Sequence, residues 1–212
     1  MLFEANYVYP IYNQVNNHQK IFFNRQNYLF FLKKIHEYIL PYADVLAWCL
    51  IPNHFHLLEF ANRAEIDISE AFTQCIGFAH SSQSKDVTKI NTKSLNDSIG
   101  ILLLSYTRAI NKQENSSGSI FRGATKAEGI SKIIELECSF LDPVKGGKRI
   151  PCISEKEYLQ TCFNYIHQNP VKAGLVMNIQ YREFSSFRDY CGHRNGKLVS
   201  LKRAQEFGLF EE

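Results

Sequence analysis

The stretch that decides the fold is ADVLAWCLIPNHFHLLEF, Ala43 to Phe60. Two apolar runs flank Pro52-Asn53, a turn dipeptide, so the segment reads as a β-hairpin whose second strand opens at His54. Side chains alternate faces along a strand, so His54 and His56 project the same way, with Leu58 and Phe60 following them. Two imidazoles on one face form a half-site for a divalent cation. A pair of half-buried sheet histidines bonded to neighbours accounts for the same pattern, so this motif alone does not decide the chemistry.

Upstream, NYVYPIYNQV (Asn6 to Val15) is rich in aromatic and β-branched residues and reads as a first strand, with Pro10 arguing for an edge or irregular position. Asn24 caps a helix predicted from about Arg25 to Leu40, with Leu29, Phe30, Leu32, Ile35, Tyr38 and Ile39 as its buried side. Downstream, helices are expected at about Ser69 to Gln83 and Leu95 to Lys112, with the polar Ser81–Asn96 stretch as a loop between them. Asn115 to Gly118 is a turn, and Ser119 to Gly129 is a strand or extended loop. A basic loop is expected near Asp142 to Ile150, then a helix from about Ser154 to Gln168 that stops at Asn169-Pro170. The order strand, helix, strand, strand, helices, strand, helix predicts an α+β sandwich, an antiparallel sheet covered by helices.

With 212 residues the chain suits a single well-cored domain spanning 1–212, its polar tail beginning at about residue 191. Hydrophobic residues at 45% and charged residues at 21% place it among ordinary globular proteins and exclude a disordered chain. The net charge of +3 permits a nucleic-acid partner, but only a clustered patch makes an electrostatic case. Six cysteines without a CxxC pair, and no secretory signal, point to free thiols in a cytoplasmic protein, and no membrane partner is expected.

The second chemical element is Tyr165-Ile166-His167-Gln168-Asn169-Pro170. Tyr165 and Asn169 are four residues apart and share one helix face. Packed beside the histidine strand, such a helix brings the Asn169 amide oxygen in as a third metal ligand and the Tyr165 hydroxyl to a metal-bound phosphate. Taken without the histidines, the pair reads as a buried helix tyrosine and a C-terminal cap. His167 points off the shared face and is structural. Together the four residues fit one reaction, attack of a tyrosine hydroxyl on a DNA phosphodiester to give a phosphotyrosine and a 3′-hydroxyl. The phenol, with an ordinary pKa of about 10, needs help with deprotonation, and the sequence does not identify the base. The covalent link conserves the phosphodiester's energy, so no nucleotide cofactor is expected, and no P-loop pattern is present.

AWCLIPNHFHLL (Ala47 to Leu58), SYTRAINKQENSSGSIFRGATKA (Ser105 to Ala127), YIHQNPVKAGLV (Tyr165 to Val176) and FSSFRDY (Phe184 to Tyr190) resemble the REP-associated tyrosine transposases of the single-tyrosine HUH superfamily. The resemblance spans most of the chain, and PNHFHLL with YIHQNPVKAG in this order and spacing carries it. It implies a ferredoxin-like α+β domain that cuts and rejoins single-stranded or hairpin DNA. It also implies His54 and His56 as metal ligands for Mg²⁺ or Mn²⁺, Tyr165 as nucleophile, and Asn169 where insertion-sequence relatives have glutamine. Those relatives are dimers that exchange the tyrosine helix, so both monomer and homodimer are open. The span between Lys126 and Tyr165 is longer than a compact member needs, which predicts an insertion near 138–150, read as a surface addition.

Arg108, Lys112, Arg122, Lys126 and Lys172 lie in or beside the matching segments and are candidate phosphate contacts, Arg122 and Lys126 foremost because strand alternation puts both on one face. Two other classes compete with the nuclease reading. A metal-dependent hydrolase would need further His, Asp or Glu ligands, and the remaining histidines fall into no ligand pattern. A DNA-binding regulator derived from a transposase would have no need of both histidines and Tyr165.

Overall fold

The hairpin forms as its sequence predicts. Strands β2 (Ala43–Ile51) and β3 (His54–Ala61) pair antiparallel around the two-residue turn Pro52-Asn53. In this computed structural model the described residues are 2–15, 20–67, 92–123, 125–127, 129–130 and 155–211. The expected helix at Ser69 to Gln83, the basic loop at Asp142 to Ile150 and the insertion near 138–150 lie outside them.

Strand β1 (Tyr7–Gln14) lies against β3, and the two-residue β6 (Lys126–Ala127) lies against β1, giving a four-stranded antiparallel sheet in the order β2-β3-β1-β6. With helices α1 (Arg25–Tyr38) and α2 (Leu95–Gln113), the chain runs β1-α1-β2-β3-α2-β6, the split βαβ arrangement of a ferredoxin-like α+β sandwich. A small hairpin, β4 (Glu65–Asp67) with β5 (Thr92–Ser94), precedes α2. Thr92 to Ser94 are therefore strand and Asn96 is helical, rather than loop. β1 is an interior strand, not the edge that Pro10 suggested. The β6 partner pairs with Ile11 and Tyr12 among the described residues, so Pro10 sits just outside the two-sided stretch, where its missing N–H does least harm.

The sheet has two covered faces. Tyr9, Ile11, Trp48, Leu50, Phe55 and Leu57 point to one and meet α1 and α2, including Phe31, Ile35, Leu102 and Tyr106. Val8, Tyr12, Cys49 and Leu58 point to the other and meet helix α3 (Glu155–Lys172) through Tyr158, Cys162, Phe163 and Ile166. Helix α1 is capped as read, the Asn24 side chain accepting from Asn27 N at 3.1 Å and the Asn27 side chain from Asn24 N at 3.2 Å. Of the side expected from the sequence, Ile35 and Ile39 are buried and Phe30, Leu32 and Tyr38 pack partly against the core, whereas Leu29 is exposed and Tyr28 and Phe31 are buried in addition. The Tyr28 ring is stacked between Phe22 (4.4 Å) and Phe184 (4.1 Å), which turns Leu29 to solvent.

Two further expectations are corrected in the C-terminal third. Helix α3 runs through Pro170 to Lys172. Proline in the last turn costs only the bond to the Ile166 carbonyl, and the chain closes with Ala173 N to Asn169 O (2.8 Å) and Gly174 at φ +66°, a left-handed stop that suits glycine. The segment beyond Cys191 is integrated rather than a tail. Cys49 bridges Ser185 and Val45 bridges Val199 along the outer edge of β2, and α5 (Leu201–Glu206), after the short α4 (Phe187–Tyr190), buries Ala204 under the second face. This covers an edge strand that would otherwise template pairing with another chain. No helix among the described residues is long and apolar enough to cross a membrane.

Candidate functional site

Register places the histidines. On the α3 face Cys49, His56, Tyr12 and Lys126 stand side by side across all four strands, and Ile51, His54 and Gln14 form the next row. The α3 face of β3 therefore presents both imidazoles to the helix that carries Tyr165 and Asn169.

Asn169, buried to 6% exposure, reaches between the rings. Its Oδ1 lies 3.2 Å from His54 Nε2 and its Nδ2 lies 3.1 Å from His56 Nε2. The two imidazoles meet edge to face with centroids 5.0 Å apart, and the Tyr165 ring meets His56 edge to face at 5.5 Å. Tyr12 stacks on the His56 ring at 5.7 Å. His54 Nδ1 is 2.7 Å from Asn53 Oδ1, an outer contact that fixes the ring and leaves Nε2 facing Asn169. Burial holds His54 down to about 4, with the Asn169 bond opposing, and holds His56 well below the ordinary imidazole range, with His54 adding to the shift. Both rings are neutral at pH 7, the form that ligates metals. Burial pushes the Cys49 thiol up to about 12, against the smaller pull of Arg182 and Ser185, so this neighbour of His56 is no thiolate.

The donor set fits a cation. A neutral imidazole has one N–H, yet both ring nitrogens of His54 face amide oxygens, and a cation held by Nε2 and the Asn169 oxygen removes that mismatch. Among the described residues no cluster of three His, Cys, Asp or Glu side chains accompanies the pair, and the side-chain oxygen that lies against His54 Nε2 is that of the Asn169 amide.

The comparisons with known proteins are narrow. No protein-family model and no curated protein matches the chain. Among solved structures it is similar to a REP-associated tyrosine transposase bound to a REP hairpin, at 13% identity and a TM-score of 0.49, over 100% of this chain and 95% of that one.

The candidate cations divide. Lys172 Nζ lies 4.8 Å above the Tyr165 ring and Lys126 Nζ lies 5.7 Å above the Tyr12 ring, so both border the cluster. Arg122 is outside any strand, so alternation does not govern it. Its guanidinium still lies against the Gln14 amide, with Nη2 3.2 Å from the Gln14 oxygen once that amide turns its oxygen inward, in the row of His54. Arg108 and Lys112 are exposed on α2, across the sheet from the histidines, and the fold does not bring them to the site. His167 is structural as read, buried with Nε2 2.8 Å from Ser186 Oγ and its ring against Phe163. Sequence reading missed Tyr12, Gln14 and Asn53. Asn53 was visible as the turn residue beside His54, but Tyr12 becomes a neighbour of His56 only once the register of β1 is known.

Proposed function

We propose that this chain is a single-tyrosine nuclease and strand transferase acting on single-stranded or hairpin DNA. The observation that carries the reading is that Asn169 touches both imidazoles while Tyr165, one helical turn away, packs on His56. Residues more than a hundred positions apart in sequence meet as one set, in the combination this chemistry needs.

In this reading His54, His56 and the Asn169 oxygen hold Mg²⁺ or Mn²⁺, which when bound polarises the scissile phosphoryl oxygen and offsets its growing charge. The Tyr165 oxygen forms the new bond to phosphorus and gives up its proton. The bond to the 3′ oxygen breaks, and that oxygen leaves with a proton as a free 3′-hydroxyl. The 5′ side stays on the enzyme as a phosphotyrosine, and the reverse reaction on a new 3′-hydroxyl rejoins the strand. In this reading Lys172, Lys126 and Arg122, which border the cluster, neutralise the phosphate. Because the phosphotyrosine conserves the phosphodiester's energy, the proposed reaction calls for no nucleotide cofactor.

Incubation with labelled hairpin DNA and Mn²⁺ should give a protein–DNA adduct that survives SDS. Tyr165→Phe should abolish the adduct and keep DNA binding within about twofold, since one hydroxyl contact is lost from many. DNA binding with no adduct from the unmodified chain would favour the regulator reading instead.

A further inference from the structure

We infer that a basic groove on the other side of the sheet, between α1 and the loop after α4, holds the sugar–phosphate backbone of the DNA away from the point of cleavage. This rests on the proposed action on DNA and adds a second contact region that the histidine cluster does not include.

The groove is a cavity of about 640 Å³, within the range of ligand-binding clefts. Its floor is apolar, formed by Leu29, Leu32, Phe184 and Leu198 beside Trp48. Its rim carries Arg25, Lys33, Arg188, Arg194 and Lys197 against two carboxylates, Glu183 and Asp189, with His36 and His193 alongside. That local excess equals the +3 of the whole chain. The cleft thus carries a net basic rim, the footprint an anionic chain requires.

The cations have separable roles. Arg194 builds the wall. It bonds Asp189 at 2.6 and 2.8 Å, Glu183 O at 2.9 Å and Ser185 O at 2.7 Å, and its guanidinium covers the Trp48 ring at 4.9 Å. The buried Asp189 also accepts from Gly196 N at 3.0 Å, and a Cβ at Gly196 would come within 2.6 Å of that carboxylate. Arg25 is tied to Glu183 at 2.7 Å. The Arg188 carbonyl accepts from His193 N and Arg194 N, but the side chains of Arg188 and Lys197 make no hydrogen bond or ion pair among the described residues, and the Lys33 ammonium has a 3.7 Å contact to Glu37. Helix α1 thus presents Lys33, the short α4 Arg188 and the loop after it Lys197 around an apolar floor. Arg194 roofs Trp48 and Tyr28 stacks on Phe184, so both floor rings already have protein partners where a base would stack. Deoxyribose against the floor and phosphates against the rim satisfy both surfaces, and the contact is independent of sequence. The groove is also joined to the tyrosine helix. Ser186 Oγ bonds His167 on α3 and accepts from Trp48 N at 2.9 Å.

The test measures binding of a labelled single-stranded oligonucleotide across a salt series, in a Tyr165→Phe background so that cleavage does not intervene. Lys33→Gln, Arg188→Gln and Lys197→Gln together should weaken binding on the order of tenfold at low salt and make the log–log salt slope shallower by about 2, since each phosphate contact on a single strand contributes about 0.7. The exposed pair Lys33→Gln and Lys197→Gln, which leaves Arg188 in place, should give a smaller loss of the same kind. Unchanged affinity and slope in both variants overturns the inference. So does loss of binding to phosphatidylserine vesicles with DNA binding intact, which would assign the groove to a lipid surface. The two readings fail separately. An adduct from the unmodified Tyr165 chain with no groove effect refutes the groove alone, and groove-dependent binding without an adduct refutes the nuclease alone.

Discussion

His56 and Glu59 stand three residues apart on β3, both wholly buried and on opposite faces of the sheet, and they are treated in opposite ways. On the α3 face, His56 is met by the Asn169 amide, the Tyr12 ring and the Tyr165 ring. On the α1 and α2 face, Glu59 lies between Tyr9 and Val45 in register, and neither carboxyl oxygen has a hydrogen-bond partner. A polar group in a core is costly unless neighbours satisfy it. The fold has assembled polar and aromatic neighbours around His56 and, among the described residues, has given the Glu59 carboxyl oxygens no hydrogen-bond partner. That contrast separates a candidate site from an isolated buried carboxyl, and burial alone would rank the two residues equally.

The largest expected effect tests the unmet side. Burial pushes the Glu59 carboxyl up to about 8 from an ordinary 4.5. Below about pH 4.5 both folded and unfolded chains hold the proton. Between 4.5 and 8 only the unfolded chain releases it, so stability falls as pH rises and levels off above 8. The shift corresponds to about 5 kcal/mol at the alkaline end. Glu59→Met should flatten this slope and raise stability at pH 8 by about 3–5 kcal/mol in urea titrations. A variant no more stable than the parent would mean that Glu59 has found a partner in solution.

The α3 face should show the opposite slope. Burial holds His167 down to about 3 from an ordinary 6.5, so the unfolded chain gains a proton as pH falls below 6.5 while the folded one does not. Stability from this residue is complete above pH 6.5 and is lost progressively towards pH 3. His167→Gln should reduce the acid slope and leave the alkaline one alone. A smaller effect probes what satisfies that side. Ser186→Ala strips His167 Nε2 and Trp48 N of a shared partner and should cost about 1–3 kcal/mol, with the alkaline slope unchanged.

The legible parts were those set by local chemistry. Pro52-Asn53 fixed the hairpin, period-two alternation put His54 and His56 on one face, and four-residue spacing put Asn169 with Tyr165. What was not legible depended on partners distant in sequence. Glu59 sits at an alternation position that would face water at a sheet with one open side, but here that side is under α1 and α2. Pro10 reads as an edge marker, and only the shortness of β6 reconciles it with an interior strand. Pro170 reads as a stop, yet in a last turn it removes a single bond. The groove cations are scattered from Arg25 to Lys197, and nothing in their spacing anticipates a common rim.

The central claim is that the Tyr165 oxygen becomes bonded to DNA. After reaction with a hairpin oligonucleotide and Mn²⁺, protease and nuclease digestion followed by mass spectrometry of the peptides should find a nucleotide phosphate on Tyr165. Loss of that mass from His56→Ala protein that remains folded would accord with the same account. A stable adduct mapped to any other residue, or DNA cut with water's oxygen on the 5′ phosphate and no modified tyrosine, would contradict it.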